Sequence, residues 1–338
     1  MSESELAREI FAQPEALERF RAQEGAHTRE LGARLAARRP AGVMIAARGS
    51  SDHAAVYAKY LLGARAAMPV ALAAPSLFTI YERAPRLASW VVLAISQSGA
   101  SPDVVRVVAS AREQGAATVA FTDRLDSALA AAAEHVVPLR LGGERAVAAT
   151  GSFTTTLYAL GHLVAGFRGE EEPALAVVPE LASRALAVQP AARALASTLA
   201  EHASCAVIGR GFGFPVALEW ALKLKELAGV FAEPFSAADY RHGPIALASA
   251  GAPAITIELA GPARGDVRRL GRELLERGAR LVRASDEASA DLRIPEADEW
   301  LAPIPAAIVG QLLAFWLARA RGRDPDRPDG IRKVTRTL

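Results

Sequence analysis

Three stretches of this chain recur at nearly the same spacing, and that repetition limits what the whole can be built from. Val43-Met44-Ile45-Ala46-Ala47-Arg48-Gly49 and Ala206-Val207-Ile208-Gly209-Arg210-Gly211 are apolar runs ending in Arg-Gly, and the Arg-Gly pairs lie 162 residues apart. At the same offset, Val91–Ile95 followed by Gly99 matches Ala254–Ile257 followed by Gly261. One residue later in register, the run from Gly115 to Asp123 matches that from Gly278 to Asp286. A chain of 338 residues is long enough for two cores. The repeat implies a duplicated domain.

Within each half, short β-rich runs alternate with helical stretches. In the first, Val43–Ala47, Val70–Ala73, Val91–Ile95, Thr118–Phe121 and His135–Pro138 read as strands. Ser51–Leu62, Ser101–Gln114 and Thr150–Ala165 read as helices. Continuous apolar strands alternating with helices predict a parallel sheet covered on both faces. The fold class is therefore α/β, with two doubly wound sheets sandwiched by helices (αβα). The expected organisation is a helical segment over 1–40, a first domain over 41–170, a helical connector over 171–202, a second domain over 203–322 and a tail over 323–338.

Charge and composition exclude several classes. The 39 basic and 37 acidic residues are well mixed, for a net +2. No basic stripe suggests nucleic acid or a membrane surface. The acidic start Met1-Ser2-Glu3-Ser4-Glu5 has no apolar signal region, and no apolar run is expected to span a membrane. The single Cys205, in an apolar run, reads as a buried strand thiol and fits a reducing compartment. Six scattered histidines offer no metal-binding spacing. The reading is a cytoplasmic protein with no metal and no cofactor.

Only four of the 39 basic residues are lysines: Lys59, Lys223, Lys225 and Lys333. Arginine cannot lose its proton near neutral pH or form an imine, whereas lysine can do both. Lys223 shares a helical face with Glu219 and Glu226 at i, i+4, i+7 spacing. Such spacing often marks a solvated ion pair, but the flanks here are apolar (Leu218, Leu222, Leu224 and Ala228), so a shielded face is expected. Partly buried carboxylates and amines serve general acid–base chemistry. Gly209-Arg210-Gly211-Phe212-Gly213 lacks the third glycine of a dinucleotide fingerprint. His242, in Tyr240-Arg241-His242-Gly243-Pro244, is a lone histidine in a tight turn, a type more often structural than catalytic. Lys333 stands near the terminus, where fraying is common.

Ile95-Ser96-Gln97-Ser98-Gly99-Ala100-Ser101-Pro102-Asp103 is a hydroxyl-rich loop at a strand end, with Ser101 as N-cap and Pro102 at the first helical position. It suits a phosphate at a helix N-terminus, though Asp103 already answers the helix dipole and an ordinary Ser-rich turn has the same composition. Its second-half counterpart, Glu258-Leu259-Ala260-Gly261, has no hydroxyl. Ser51, after the first strand, lies on the same rim.

Taken together, these segments resemble the sugar isomerase (SIS) domain family, in particular the tandem isomerase part of glucosamine-6-phosphate synthase. The resemblance covers nearly the whole chain and is most specific from Gly209 through Glu219, Lys223 and Glu226 to His242-Gly243-Pro244, and at Ser96-Gln97-Ser98-Gly99. It implies that Ser96, Gln97, Ser98, Ser101 and Ser51 hold the sugar phosphate. It implies that Glu226 moves a proton between C1 and C2, and that Lys223, held by Glu219, lies near the reacting oxygens. His242 would assist ring opening from the neighbouring subunit of a homodimer, Lys333 would form an imine with the ketose, and Val147 would give a backbone contact to the sugar. Two positions depart from the family pattern: Ala100 replaces a glutamate, and Gly151 replaces a lysine. The start at Met1-Ser2 leads us to expect no glutaminase domain. The pattern therefore implies an amino-sugar-phosphate deaminase that turns glucosamine 6-phosphate into fructose 6-phosphate and ammonia. Alternatives are a galactosamine-6-phosphate deaminase, a fructosamine-type 6-phosphate deglycase and a non-catalytic sugar-phosphate sensor.

Overall fold

The apolar runs form two sheets of identical topology. The computed structural model describes residues 4–333. The chain opens with helices α1 (Glu5–Phe11) and α2 (Gln13–Ala37), then alternates β1 (Gly42–Ala46), α3 (Ser50–Ala66), β2 (Val70–Leu72) and α4 (Ser76–Thr79). Next come β3 (Trp90–Ile95), α5 (Pro102–Glu113), β4 (Ala117–Thr122), α6 (Ala128–Ala132), β5 (His135–Pro138) and α7 (Gly151–Arg168). Helices α8 (Val178–Leu186) and α9 (Gln189–Leu199) lead into β6 (Ser204–Gly209), α10 (Gly213–Ala228), β7 (Phe231–Ser236) and α11 (Ala237–Arg241). The second sheet is completed by β8 (Pro253–Glu258), α12 (Arg264–Glu276), β9 (Arg280–Ser285) and β10 (Leu292–Arg293), and α13 (Pro303–Ala320) follows.

The first sheet runs β2-β1-β3-β4-β5 and the second β7-β6-β8-β9-β10, all parallel. In both, the first strand of the repeat lies inside the sheet and the second on its edge. That order places a switch point between β1 and β3, and between β6 and β8, where strands diverge and ligands bind in such folds.

The chain divides into two compact units that interleave along the sequence. One, the first-sheet unit, comprises Glu15–Glu144, Gly151–Ala176 and the tail from Arg332; the second-sheet unit comprises the chain to Pro14, Arg145–Thr150 and Val177–Ile331. In the first-sheet unit, Val92, Ala94, Val104, Val107, Val108 and Ala120 pack β3 and β4 against α5. In the second-sheet unit, Ile208, Ala254, Val267, Leu270 and Leu274 do the same against α12.

The duplication extends to a pair of ionic clips that sequence reading did not anticipate. Arg48 reaches Asp103 at 2.7 Å, and Arg210 reaches Asp266 at 2.6 Å. Each arginine follows the first strand of its repeat, and each aspartate sits in the first turn of the helix after the third. Gly49 and Gly211, beside those arginines, adopt φ of +55° and +58°, a left-handed backbone that glycine adopts without strain. Asp103 is thus fully buried and committed to Arg48, not merely exposed to the helix dipole.

Three expectations need correction. Phe231–Phe235, whose aromatic ends suggest apolar helices in need of cover, forms instead the edge strand β7, and Pro234 is tolerated there because an edge strand need not donate on both sides. Helix α13 is long and apolar enough to cross a membrane, contrary to expectation, but it is buried as the core helix of its unit. It packs on α10, where Trp220 Nε1 donates to the Ala306 carbonyl at 2.9 Å and a Cβ at Gly310 would fall 2.1 Å from that nitrogen. Cys205, on β6, is half-buried instead of fully buried.

His162 on α7 is buried, its ring 4.7 Å from Tyr158 and 5.9 Å from Phe20, and its Nε2 has no hydrogen-bond partner among the described residues. Burial pushes its imidazole down to about 4 from the usual 6.5. The folded chain then holds His162 neutral while the unfolded chain protonates it below 6.5. Stability should fall as pH drops from 6.5 toward 4, by up to about 3 kcal/mol. Urea unfolding of wild type and His162→Phe across that range checks this; identical slopes with pH would rule it out.

Candidate functional site

Two clusters of chemically competent residues stand out, one in each unit. In the first-sheet unit, a cavity of about 920 Å³ opens beyond the carboxyl ends of β3 and β4. Gln97, Ser98, Gly99 and Ala100 line one wall, Arg124, Asp126, Ser127 and Ala128 another, and Glu144, Arg332 and Lys333 complete it. The loop after β3 is stitched to the loop after β4. The Gln97 carbonyl accepts from Asp123 N–H at 3.1 Å and Thr122 Oγ1 at 3.2 Å, and the Gly99 carbonyl accepts from Leu129 N–H at 3.1 Å. Gly99 has φ +60°, and a Cβ there would lie 2.1 Å from Ser127 Oγ. Only glycine fits that turn.

Ser101 occupies the N-cap position of α5 with Pro102 next, but its hydroxyl makes no capping bond. Ser98 Oγ accepts from Ala100 N–H at 3.3 Å. Ser96 is buried, and Ser51 is half-buried in the first turn of α3. Ser96, Ser101 and Ser51 lie outside the cavity lining, whereas Gln97 and Ser98 are part of it. With Arg124, Arg332 and Lys333 against Asp126 and Glu144, the lining carries a net positive charge, as an anion site requires. Lys333 is tied down by its side chain: its Nζ donates to Glu144 Oε2 at 2.8 Å. Glu144 was not singled out from the sequence, where it is one more acidic residue in a Gly-Gly-Glu-Arg stretch.

The matching rim of the second-sheet unit is closed by its own carboxylates. Glu258, at the end of β8, is buried and accepts from Arg268 Nε at 3.1 Å and Arg283 Nε at 3.2 Å. Glu287 pairs with the same two arginines. The Glu299 carboxyl lies over Gly261, where a Cβ would fall 2.3 Å from its carbon. Carboxylates here repel an anion and already satisfy the local cations.

The second cluster lies on α10 of the second-sheet unit. Glu219 is fully buried, Lys223 is 1% exposed, and Glu226 is 22% exposed at the open end of the row. Lys223 Nζ is 2.5 Å from Glu226 Oε2 and 3.5 Å from Glu219 Oε1. The helix face is shielded, although Leu218 and Leu222 are only half-buried; Leu224, Ala228 and Trp220 supply more of the packing. The helix ends at Gly229, φ +62°, where a Cβ would meet the Arg323 guanidinium at 2.4 Å. A carboxylate, an amine and a more exposed carboxylate in one row can hold a cation and pass a proton.

His242 is exposed at the end of α11, its N–H donating to the Asp239 carbonyl at 3.0 Å. Val147 is half-buried in a segment held by Glu9, whose carboxylate accepts from Arg145 N–H at 2.5 Å and Ala146 N–H at 3.0 Å. Gln311 donates to the Thr150 carbonyl at the end of the same segment. Thus Glu219, Lys223, Glu226, His242 and Val147 belong to the second-sheet unit, and Ser51, Ser96, Gln97, Ser98, Ser101 and Lys333 to the first-sheet unit. Among the described residues no group of three or more His, Cys, Asp or Glu side chains is arranged to hold a metal ion.

The SIS domain model matches residues 40–166 and again 198–320. The chain is 35% identical to a glutamine–fructose-6-phosphate aminotransferase (isomerizing) of Pyrobaculum aerophilum, over 97% of its own length and 57% of the relative's. It spans about half the length of the curated relatives it matches. A solved structure from Silicibacter pomeroyi, provisionally described as a phosphosugar isomerase, is 29% identical with a TM-score of 0.88, covering 96% of this chain and 100% of that one. The glucosamine-6-phosphate deaminase of Thermotoga maritima shares the fold at 22% identity, with a TM-score of 0.83 over 99% of this chain and 100% of its own. With one strand order built twice and each copy matched separately, the chain belongs to the SIS (sugar isomerase) domain family, as a tandem of two such domains.

Proposed function

We propose that this chain is an aldose–ketose isomerase of hexosamine 6-phosphates that releases ammonia, converting glucosamine 6-phosphate and water into fructose 6-phosphate and ammonia. The observation that carries this reading is the shielded Glu219–Lys223–Glu226 row. A sugar-phosphate sensor needs a binding loop but has no use for a buried amine between two carboxylates. Glu226 takes the C2 proton of the open-chain aldose and returns it to C1, giving the ketose imine that water hydrolyses. Lys223, steadied by Glu219, stabilises charge on the reacting oxygens. His242 assists ring opening and Val147 offers a backbone contact, both by family resemblance. Ammonia release from a panel of amino-sugar 6-phosphates, without glutamine, tests the function; turnover only when glutamine is supplied would replace it with an amidating synthase. Preference for the galacto epimer or for N-substituted fructosamine 6-phosphates would select one of the alternatives.

Phosphate recognition falls to the first-sheet unit, through Gln97 and Ser98 of the cavity lining and, by family resemblance, through Ser96, Ser101 and Ser51. Supporting this are the cationic lining beside Gln97 and Ser98 and the carboxylate-filled rim of the other unit. Each neutral hydrogen bond to a phosphate contributes roughly 1–3 kcal/mol. A Ser96/Ser98/Ser101→Ala variant should therefore bind fructose 6-phosphate at least about 100-fold more weakly, as read by calorimetry. Unchanged affinity would remove the assignment. A cytoplasmic homodimer, with His242 donated by the neighbour, completes the proposal; a monomer by light scattering would remove that part.

A further inference from the structure

Lys333 does not end in solvent, and its partner is the least expected residue of the cavity. The Glu144 side chain is 3% exposed; its Oε2 accepts from Lys333 Nζ at 2.8 Å and its Oε1 from Ser152 N–H, in the first turn of α7, at 3.0 Å. The carboxylate is thus fixed at both oxygens, 189 residues away in sequence from the amine it holds. Both residues line the cavity that contains Gln97 and Ser98. An amine must shed a proton before it attacks a carbonyl, and a general base must stand within hydrogen-bond reach of that proton.

We propose that Glu144 positions the Lys333 amine at this cavity and accepts the proton it loses on attacking a ketose carbonyl. This rests on the ketose-phosphate reading above. The proton passes from Nζ to Oε2, leaving a neutral amine and a carboxylic acid. The nitrogen lone pair bonds to C2 while the C=O π pair moves to oxygen. Glu144 returns the proton to that oxygen, then takes a second from the nitrogen and delivers it to the departing hydroxyl. In sum, ammonium and ketone give a protonated imine and one water, and the carboxylate is regenerated.

The test is reductive trapping with fructose 6-phosphate and cyanoborohydride, followed by peptide mass. Wild type should carry a reduced hexose 6-phosphate adduct on Lys333. Glu144→Gln keeps the shape and an acceptor oxygen but cannot take the proton, so adduct formation should slow by roughly 100-fold. Affinity for fructose 6-phosphate should change by less than about three-fold. Glu144→Asp, a carboxylate set back by one carbon, should recover part of the rate. Trapping in Glu144→Gln at the wild-type rate overturns the proposal and leaves the function standing. So does equal loss in both variants, the result for a merely structural contact. If Glu144→Gln does not fold, Glu144→Asp alone decides, since a wild-type rate there contradicts positioning. Ammonia release with no wild-type adduct removes the imine step and this role with it; absence of both strikes the function itself.

Discussion

Replacing Glu226 by Gln should lower turnover on glucosamine 6-phosphate by roughly 10²–10⁴-fold, the range typical of a positioned general acid–base group. KM should stay within about three-fold, because the amide preserves shape and only transition-state chemistry is lost. The structure favours this substitution as a clean probe. Glu226 Oε2 accepts from Lys223 Nζ at 2.5 Å, and the amide oxygen of Gln can accept the same proton, so the row need not collapse. Solvent deuterium entering C1 or C2 is an independent readout and should vanish in the variant. Near-wild-type turnover would move proton transfer off α10 altogether. Glu219 cannot easily substitute, since it is fully buried and has Lys223 between it and Glu226.

Much of this was legible from the sequence because it is local or periodic. The strands announce themselves as apolar runs bounded by turn residues, and the repeat offset pairs them before any contact is known. The shared face of Glu219, Lys223 and Glu226 follows from helical spacing alone. What escaped reading depends on residues far apart in the chain. Arg48 and Asp103 are 55 residues apart, so nothing nearby shows that the arginine of each Arg-Gly pair serves a helix in its own unit. Glu144 and Lys333 are separated by most of the chain. Strand β7 is hard to read for a different reason: Pro234 breaks a strand pattern unless the strand is known to lie on an edge, and edge position belongs to topology.

Loss of Lys223 should cost the fold heavily. Its ammonium is 1% exposed, between one fully buried carboxylate and one that is 22% exposed. Lys223→Met preserves length and packing but removes the cation, leaving Glu219 in a low-dielectric interior without it. Breaking a buried pair from one side typically costs about 3–5 kcal/mol, because the remaining charge is stranded. Replacing both partners by apolar residues of similar volume is often close to neutral. Lys223→Met should therefore lower the denaturant midpoint markedly, and Glu219→Leu combined with Lys223→Met should restore most of it. Turnover should remain lost in both, since neither keeps an amine beside Glu226. That divergence separates the two roles of the lysine: stability returns when the buried carboxylate beside it is also removed, and activity does not. A single variant that loses less than about 1 kcal/mol would mean that water or a rotated side chain already satisfies Glu219. The row would then be a solvated ion pair, and its claim to be the acid–base machinery would fall with it.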